Sequence, residues 1–219
     1  MTLKKNDFVE IEFTGKTTDG EIFDSNIESD LKKVNLNLEP KPFTFCLGEG
    51  MFLKGIDEFL IGKKEGKYNI ELKPENAFGK RNPKLIQMMP LKIFKDHKTH
   101  APIPRAMFQF DGKIGKILTV SGGRVLVDFN NPLAGKDVVY NVNVLKKVDK
   151  LEEKIKALNE FFFKKNFEFE IKEKKLILKT DEGFKQFAEL FKDKYNELFG
   201  LNLEVIEKNS EENQEKSSQ

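Results

Sequence analysis

Apolar residues in this chain occur in short runs that alternate with polar residues, and this alternation restricts the fold more than any other feature. Val9, Ile11 and Phe13 are separated by glutamates, and the same two-residue period returns in 67–72 and 137–145. A period of two turns one side of a strand toward a core and the other toward solvent. The sequence therefore predicts half-buried strands over much of the first 150 residues.

The composition narrows the class of protein. Of the 219 residues, 38% are hydrophobic and 34% are charged, which is typical of a soluble globular chain. No apolar run approaches the roughly 20 residues of a membrane span, and the N-terminus lacks the apolar core of a signal peptide. The single cysteine, Cys46, excludes an intrachain disulfide and predicts a cytoplasmic protein. One cysteine and two histidines also argue against structural zinc, so neither a metal nor a cofactor is expected.

Residues 85–129 differ in their residue pattern from the segments on either side. Two apolar segments, 114–120 and 125–129, flank Ser-Gly-Gly-Arg, which predicts a β-hairpin inside a small independent β domain. His97 and His100 lie three residues apart, but the prolines that follow them indicate a solvated loop rather than a metal site.

The last part of the chain predicts a separate α+β domain over 150–206. Its expected element order is α-β-β-α-β, with helices packed on an antiparallel sheet. One stripe at helical spacing predicts a single helix, and its members are Phe184, Phe187, Phe191, Tyr195 and Leu198. Residues 207–219 are too polar to bury a core, so we expect a disordered tail.

Four ordered segments carry a resemblance to a known family. They are Ile-Glu-Phe-Thr-Gly-Lys with Asp-Gly-Glu-Ile-Phe-Asp-Ser (11–25), Pro-Phe-Thr-Phe-Cys-Leu-Gly with Leu-Lys-Gly-Ile-Asp-Glu (42–58), Pro-Glu-Asn-Ala-Phe-Gly (74–79) and Val-Val-Tyr-Asn-Val-Asn-Val-Leu (138–145). In this order and spacing they resemble the FK506-binding-protein (FKBP) family of peptidyl-prolyl cis/trans isomerases. About 50 residues stand where the family has a short flap, so the chain resembles the insert-in-flap, SlyD-like subgroup in its long archaeal form.

The resemblance implies an α+β fold in which an antiparallel sheet wraps on a short helix. It implies an isomerase domain over 1–84 plus 130–148, a chaperone domain over 85–129, and a C-terminal domain over 150–206. The residues that match the family's pocket are Phe13, Phe23, Asp24, Phe43, Phe52, Leu53, Ile56, Phe78 and Tyr140.

The pocket residues fit the chemistry that the resemblance implies. Rotation about an X-Pro bond breaks amide resonance and crosses a barrier of ~18–20 kcal/mol, but it needs no nucleophile, metal or cofactor. A pocket lined by aromatic rings favours the twisted, less polar amide. Family members often have Tyr at the positions of Phe13 and Phe78, and Trp at that of Ile56. We therefore expect weak macrolide binding and a reduced intrinsic efficiency.

The insert and the C-terminal domain suggest partners. By resemblance, an adaptable chaperone surface for unfolded or nascent polypeptides with X-Pro bonds is expected from Met88, Met89, Phe94, Met107, Phe108 and Phe110. The alternative is that these residues form the core of a small domain. The C-terminal phenylalanines predict either a homodimer interface or a simple core. Two rival functions remain: a non-catalytic holdase chaperone, and a ribosome- or RNA-associated binding module that uses the basic insert.

Overall fold

The computed structural model of the protein describes residues 1–35, 39–95, 102–110 and 112–208. The strands are β1 (Phe8–Thr17), β2 (Ile22–Ser25), β3 (Phe43–Cys46), β4 (Gly66–Leu72), β5 (Ile86–Pro90), β6 (Met107–Phe110), β7 (Lys113–Ser121), β8 (Arg124–Asp128), β9 (Val138–Val148), β10 (Glu168–Lys172), β11 (Lys175–Thr180) and β12 (Asn202–Glu207). The α-helices are α1 (Glu28–Lys33), α2 (Lys54–Leu60), α3 (Lys92–Lys95), α4 (Leu151–Phe163), α5 (Lys185–Glu189) and α6 (Lys192–Phe199). Short 3-10 turns occupy Pro74–Asn76 and Pro83–Leu85.

The chain divides into two compact units. The first unit comprises Met1–Thr14, Asp24–Ile70 and the chain from Asn141 onward, and the second comprises Gly15–Phe23 and Glu71–Tyr140. In the first unit the sheet has the order β2-β1-β9-β4, and β3 pairs with β1 in antiparallel register, Ile11 opposite Phe43. The buried side of β1 and the buried residues of α2 contribute to its core. The expected α+β class, with antiparallel sheet and a short helix, is confirmed.

The segment between β4 and β9, in the second unit, contains a four-stranded sheet of order β5-β8-β7-β6, antiparallel throughout. Gly122 and Gly123, both with positive φ, make the two-residue turn between β7 and β8, as the hairpin prediction required. At the base of the segment the Phe129 N–H donates to the Leu85 carbonyl over 2.9 Å. Asn130 accepts from the Asn82 N–H at 2.8 Å and donates to the Asn82 carbonyl at 3.0 Å.

The C-terminal part of the first unit differs from its prediction in two respects. The sheet order is β10-β11-β12, but β12 runs parallel to β11, with Leu178 opposite Val205. A parallel neighbour needs a long crossover, and α5 and α6 supply it between the two strands. The single helix expected over 184–198 is divided, because the backbone of Phe191 leaves helical geometry at φ −98° and ψ 7°.

Some predictions fall outside the described residues. His97, His100 and 209–219, most of the proposed tail, belong to the parts of the chain that the structure does not describe. Within the described ranges, no helix combines the length and apolar character that crossing a membrane requires.

Candidate active site

Four phenylalanines of the first unit form a continuous aromatic group. Phe13 on β1 lies 4.9 Å from Phe52 and 6.5 Å from Phe43, measured between ring centroids. Phe43 and Phe45, two residues apart on β3, stack at 5.4 Å, and each lies 5.5 Å from Phe52. Phe43 and Phe52 are half-buried, so part of the ring surface of this first aromatic group is accessible. Three of its members were predicted from the sequence, and the fourth, Phe45, is fully buried.

The loop between β3 and α2 positions Phe52 from both sides. Gly48 and Gly50 adopt positive φ, which allows the tight turn before Met51. The Gly50 N–H donates to Asp57 Oδ2 at 3.3 Å. Lys194 Nζ of α6 binds Glu49 Oε2 at 2.7 Å, so a C-terminal helix also contacts this loop. Neither Asp57 nor Lys194 was predicted as a support of the site: Asp57 lies in a segment that resembles the family but was not among its pocket residues, and Lys194 lies outside all four segments.

Helix α2 begins beneath this loop. Leu53 is its N-terminal cap residue, in extended conformation, and its carbonyl accepts the N–H groups of Ile56 and Asp57. Ile56, the predicted pocket floor, is fully buried. The first turn of α2 therefore holds Leu53 and Ile56 in fixed positions directly after Phe52 in the chain.

The turn after β2 contains a support that the sequence analysis missed. Asp24 is half-buried at the β2 position next to Ser25. Asn26 accepts from the Phe13 N–H at 2.7 Å and donates to the carbonyls of Ile11 and Lys41 at 3.0 and 3.1 Å. The Asn26 side chain thus joins β1 to the chain entering β3, which are the two strands that carry Phe13 and Phe43. A polar residue directly after a strand was its only sequence signal.

The remaining predicted rings form a second aromatic group in the second unit. Phe23 lies edge-on to Phe78 at 5.6 Å and to Tyr140 at 5.7 Å. Gly15 allows this packing, because a Cβ there would lie 2.8 Å from the Tyr140 ring and 2.9 Å from Phe23. Phe78 lies within a tight turn closed by a 2.7 Å hydrogen bond from the Gly79 N–H to the Pro74 carbonyl.

The electrostatics near the first aromatic group offer no nucleophile. Burial, followed by the nearby Glu49 and Asp57 carboxylates, raises the pKa of the Cys46 thiol to about 12, so the thiol stays protonated. Burial also raises the pKa of Asp57 to about 6, although the Gly50 N–H opposes the shift. Ring surface and a few positioned polar groups suit a reaction that moves no proton and makes no covalent bond.

The insert residues predicted for chaperone activity lie on two faces of their sheet. Met88 and Met107 are exposed, at 60% and 53%. Phe94 is 1% exposed and belongs to the core of the sheet, where Met89, Phe108 and Phe110 pack against it. Phe94 therefore does not reach a client in this conformation. It is buried because the small sheet needs a large ring to fill its core. Ile114 is also exposed, at 61%, and the sequence analysis did not assign it to the chaperone surface.

A functional assignment follows from comparison with known proteins. The family described as "FKBP-type peptidyl-prolyl cis-trans isomerase" matches residues 1–98, and that described as "FKBP26, IF domain" matches residues 87–133. The short-type peptidyl-prolyl cis-trans isomerase of Methanocaldococcus jannaschii is 30% identical over 65% of this chain and 92% of its own. The FKBP-type 16 kDa isomerase of Escherichia coli K12 is 33% identical over 66% and 93%. SlyD of Pasteurella multocida is 28% identical over 66% and 69%.

The chain therefore belongs to the FKBP-type peptidyl-prolyl cis-trans isomerase family. It carries the inserted domain of the insert-in-flap members, as the sequence analysis expected. Its enzyme class is peptidyl-prolyl cis/trans isomerase.

The raised pKa of Asp57 predicts a pH effect on stability. Its folded pKa, about 6, lies above the ordinary value of 3.8, so the folded state binds the extra proton between these pH values. The stabilising contribution is complete below pH ~4 and is lost as pH rises through about 6. Relative to Asp57→Asn, the wild-type free energy of unfolding should fall by about 2 kcal/mol between pH 4 and pH 7. Urea unfolding at several pH values measures this difference, and parallel pH curves for the two proteins would contradict it.

Proposed function

We propose that the residues of both aromatic groups act in binding the prolyl group, and that the insert binds unfolded client chains. The observation that carries the catalytic part is the first aromatic group, in which half-buried rings are braced by Asn26 and by the loop before α2. Phe13, Phe43, Phe52, Leu53 and Ile56 are assigned to the pocket, together with Asp24. We extend the proposal to Phe23, Phe78 and Tyr140 of the second aromatic group, because they belong to the segments that resemble the family.

The mechanism needs only selective binding of the twisted amide. Twisting removes the conjugation that makes the planar amide carbonyl polar. Rings that exclude water therefore stabilise the transition state more than the ground state, which is the condition for a higher kcat. Asp24 is a positioning group in this scheme and transfers no proton. Ile56 is fully buried, so in this conformation it offers no surface to a proline ring, and its part in the proposed pocket is to support the lining residues.

The outer face of the insert sheet supports a binding role for unfolded chains. Met88 lies opposite Leu126, and Met107 lies opposite Lys116, so flexible apolar side chains and a positive charge share one face. Met adapts to side chains of different shape. Holding a client there raises the concentration of its prolines at the pocket. A surface of this kind favours an isomerase with chaperone activity over an RNA-binding module, because the phenylalanines in the described part of the insert pack in or against its core and form no platform beside the lysines.

A double replacement on this face tests the chaperone role. We expect Met88→Ser with Met107→Ser to weaken binding of a permanently unfolded polypeptide about 10-fold, because the lost contact area is apolar. The matched control is Gln87→Ser with Gln109→Ser, which changes exposed neighbours on the same strands. Fluorescence anisotropy of a labelled client measures the affinity. Equal losses in the two double variants would assign client binding to another surface.

The C-terminal helices expose apolar side chains that suit a contact between two copies of the chain. Phe187 and Leu190 are exposed on and beside α5, next to the stacked rings of Phe162 and Phe191. We propose a homodimer through this surface. Light scattering should give a dimeric mass that Leu190→Glu lowers to that of a monomer while Gln186→Glu does not. A wild-type mass that stays monomeric at every concentration would contradict the dimer.

We also assign the protein to the cytoplasm. The printed sequence holds one cysteine, Cys46, which is buried and therefore poorly placed to pair with another chain. Clients with X-Pro bonds, unfolded or newly synthesised, are the partners that this location and the pocket suggest.

A further inference from the structure

A groove beside the first aromatic group is not accounted for by the isomerase pocket. It lies between β3 and α4 in the first unit, and its volume is about 620 Å³. That size lies within the range of pockets that bind drug-sized molecules. Its apolar lining consists of Pro42, Phe43, Met51, Ala157 and Phe161. The groove therefore has one wall from the isomerase domain and one wall from the C-terminal domain.

The groove continues from the proposed pocket. Phe43 lines the groove and also packs within 5.5 Å of Phe52 and 6.5 Å of Phe13. Met51, which lines the groove, is the residue before Phe52 in the chain. An extended polypeptide advances about 3.3 Å per residue. A chain whose proline occupies the pocket thus reaches the groove within a few residues.

The edge of the sheet beside the groove suits an extended chain. Of the strands that the structure describes, β3 pairs with β1 alone, so it is an edge strand. Three consecutive residues, Pro42, Phe43 and Thr44, line the groove along this strand. Edge strands bind extended peptides through the main chain, and neighbouring hollows accept their side chains.

The charges around the groove select against strongly charged ligands. Four lysines and three glutamates line it, so the local charge is close to zero. Lys41 pairs with Glu160 across the two walls, and Lys146 lies 3.5 Å from Glu10 and 3.8 Å from Glu153. Lys41 and Lys146 are thus neutralised, and the groove has only one more lysine than glutamate, which leaves the apolar floor as the main attraction. Neither a nucleic acid nor an acidic segment fits this pattern.

We propose that the groove between β3 and α4 is an extended subsite that binds the polypeptide segment flanking the target proline, with an apolar or aromatic side chain on Phe43 and Phe161. This inference rests on the proposed pocket, because Phe43 joins the two. It gives the C-terminal domain a direct part in binding the substrate. Short peptides use the pocket alone, and longer chains use both.

Filling the groove tests this proposal in the full-length protein. Ala157→Trp places a large ring in the groove from the α4 side. We expect it to raise the KM for a 12-residue peptide, with phenylalanine three residues from a central proline, at least 10-fold with little change in kcat. Isomerisation of a four-residue X-Pro peptide should change less than twofold. The control is Glu152→Trp, which adds the same ring to an exposed position of α4 outside the groove.

The outcomes separate this proposal from the proposed pocket. An unchanged KM for the 12-residue peptide overturns the subsite. If wild type turns over neither peptide, the isomerase proposal fails, and affinity of the long peptide for the two variants still decides the groove. A second measurement on wild type uses a nitroxide label attached to the long peptide near its phenylalanine. Two such peptides are compared, one with the labelled segment before the proline and one with it after the proline. Broadening of amide signals in 153–161 supports the subsite; no broadening there, or a groove occupied by a second copy of the chain, overturns it.

Discussion

Replacement of Phe52 by alanine is expected to lower kcat/KM for a short X-Pro peptide roughly 10- to 100-fold. Phe52 is the ring that contacts Phe13, Phe43 and Phe45 together, so its loss opens the first aromatic group to water. Burying a large apolar side chain is worth about 1.5–3 kcal/mol, and 1.36 kcal/mol corresponds to a factor of ten in rate. The loss should appear in kcat as well as KM, because the ring acts on the twisted amide more than on the planar one.

The matched control for Phe52→Ala is Phe59→Ala on helix α2. Phe59 is also half-buried and aromatic, but it packs against Tyr68 at 5.7 Å and beneath Lys63 Nζ at 5.0 Å, away from the first aromatic group. Tetrapeptide isomerisation, followed by a protease-free absorbance assay, should distinguish the two variants. Equal activities for Phe52→Ala and wild type, with both proteins folded, would remove the first aromatic group from the site.

Excision of the insert is expected to cause the second large effect, on protein substrates alone. Asn82 and Asn130 hold the base of the insert through two hydrogen bonds, so a short turn in place of 85–129 joins chain ends that are already close. Without the insert the client is no longer held near the pocket, and gains from such tethering reach 10²–10⁴-fold. We predict a roughly 100-fold lower kcat/KM in proline-limited refolding of a reduced, carboxymethylated protein.

Short-peptide activity is the control for the excision. The tetrapeptide is too small to use a client surface, so its isomerisation should remain within about twofold of wild type. Parallel losses on both substrates would mean that the insert supports the pocket structurally. Undiminished refolding activity in the excised protein would show that the insert has no part in binding clients.

Features of the candidate site that follow from residue periodicity could be predicted from the sequence. Features that depend on tertiary contacts could not. Alternation located the strand of Phe13, and the ordered segments selected most members of both aromatic groups. The role of Asp57 was not predictable, because it depends on burial and on the Gly50 N–H across a turn. Phe94 also illustrates the difficulty: composition favours it equally for a surface and a core, and only the packed sheet places it inside.

The same distinction explains the C-terminal part. The apolar stripe of 184–198 has helical spacing, so nothing in the pattern marks the break at Phe191. The direction of β12 follows from the crossover through α5 and α6, which is a property of the connection rather than of the strand's residues. Local patterns thus determined the element types, and long-range contacts determined their pairing.

The central claim is that this chain catalyses prolyl rotation in unfolded proteins, and proline-limited refolding at low ratios of enzyme to substrate tests it most directly. The account predicts that the rate of the slow phase rises in proportion to enzyme at far below one equivalent, and that Phe52→Ala removes most of this increase. A slow phase whose rate never changes, with folding merely delayed near one equivalent, would contradict it and identify a holdase instead.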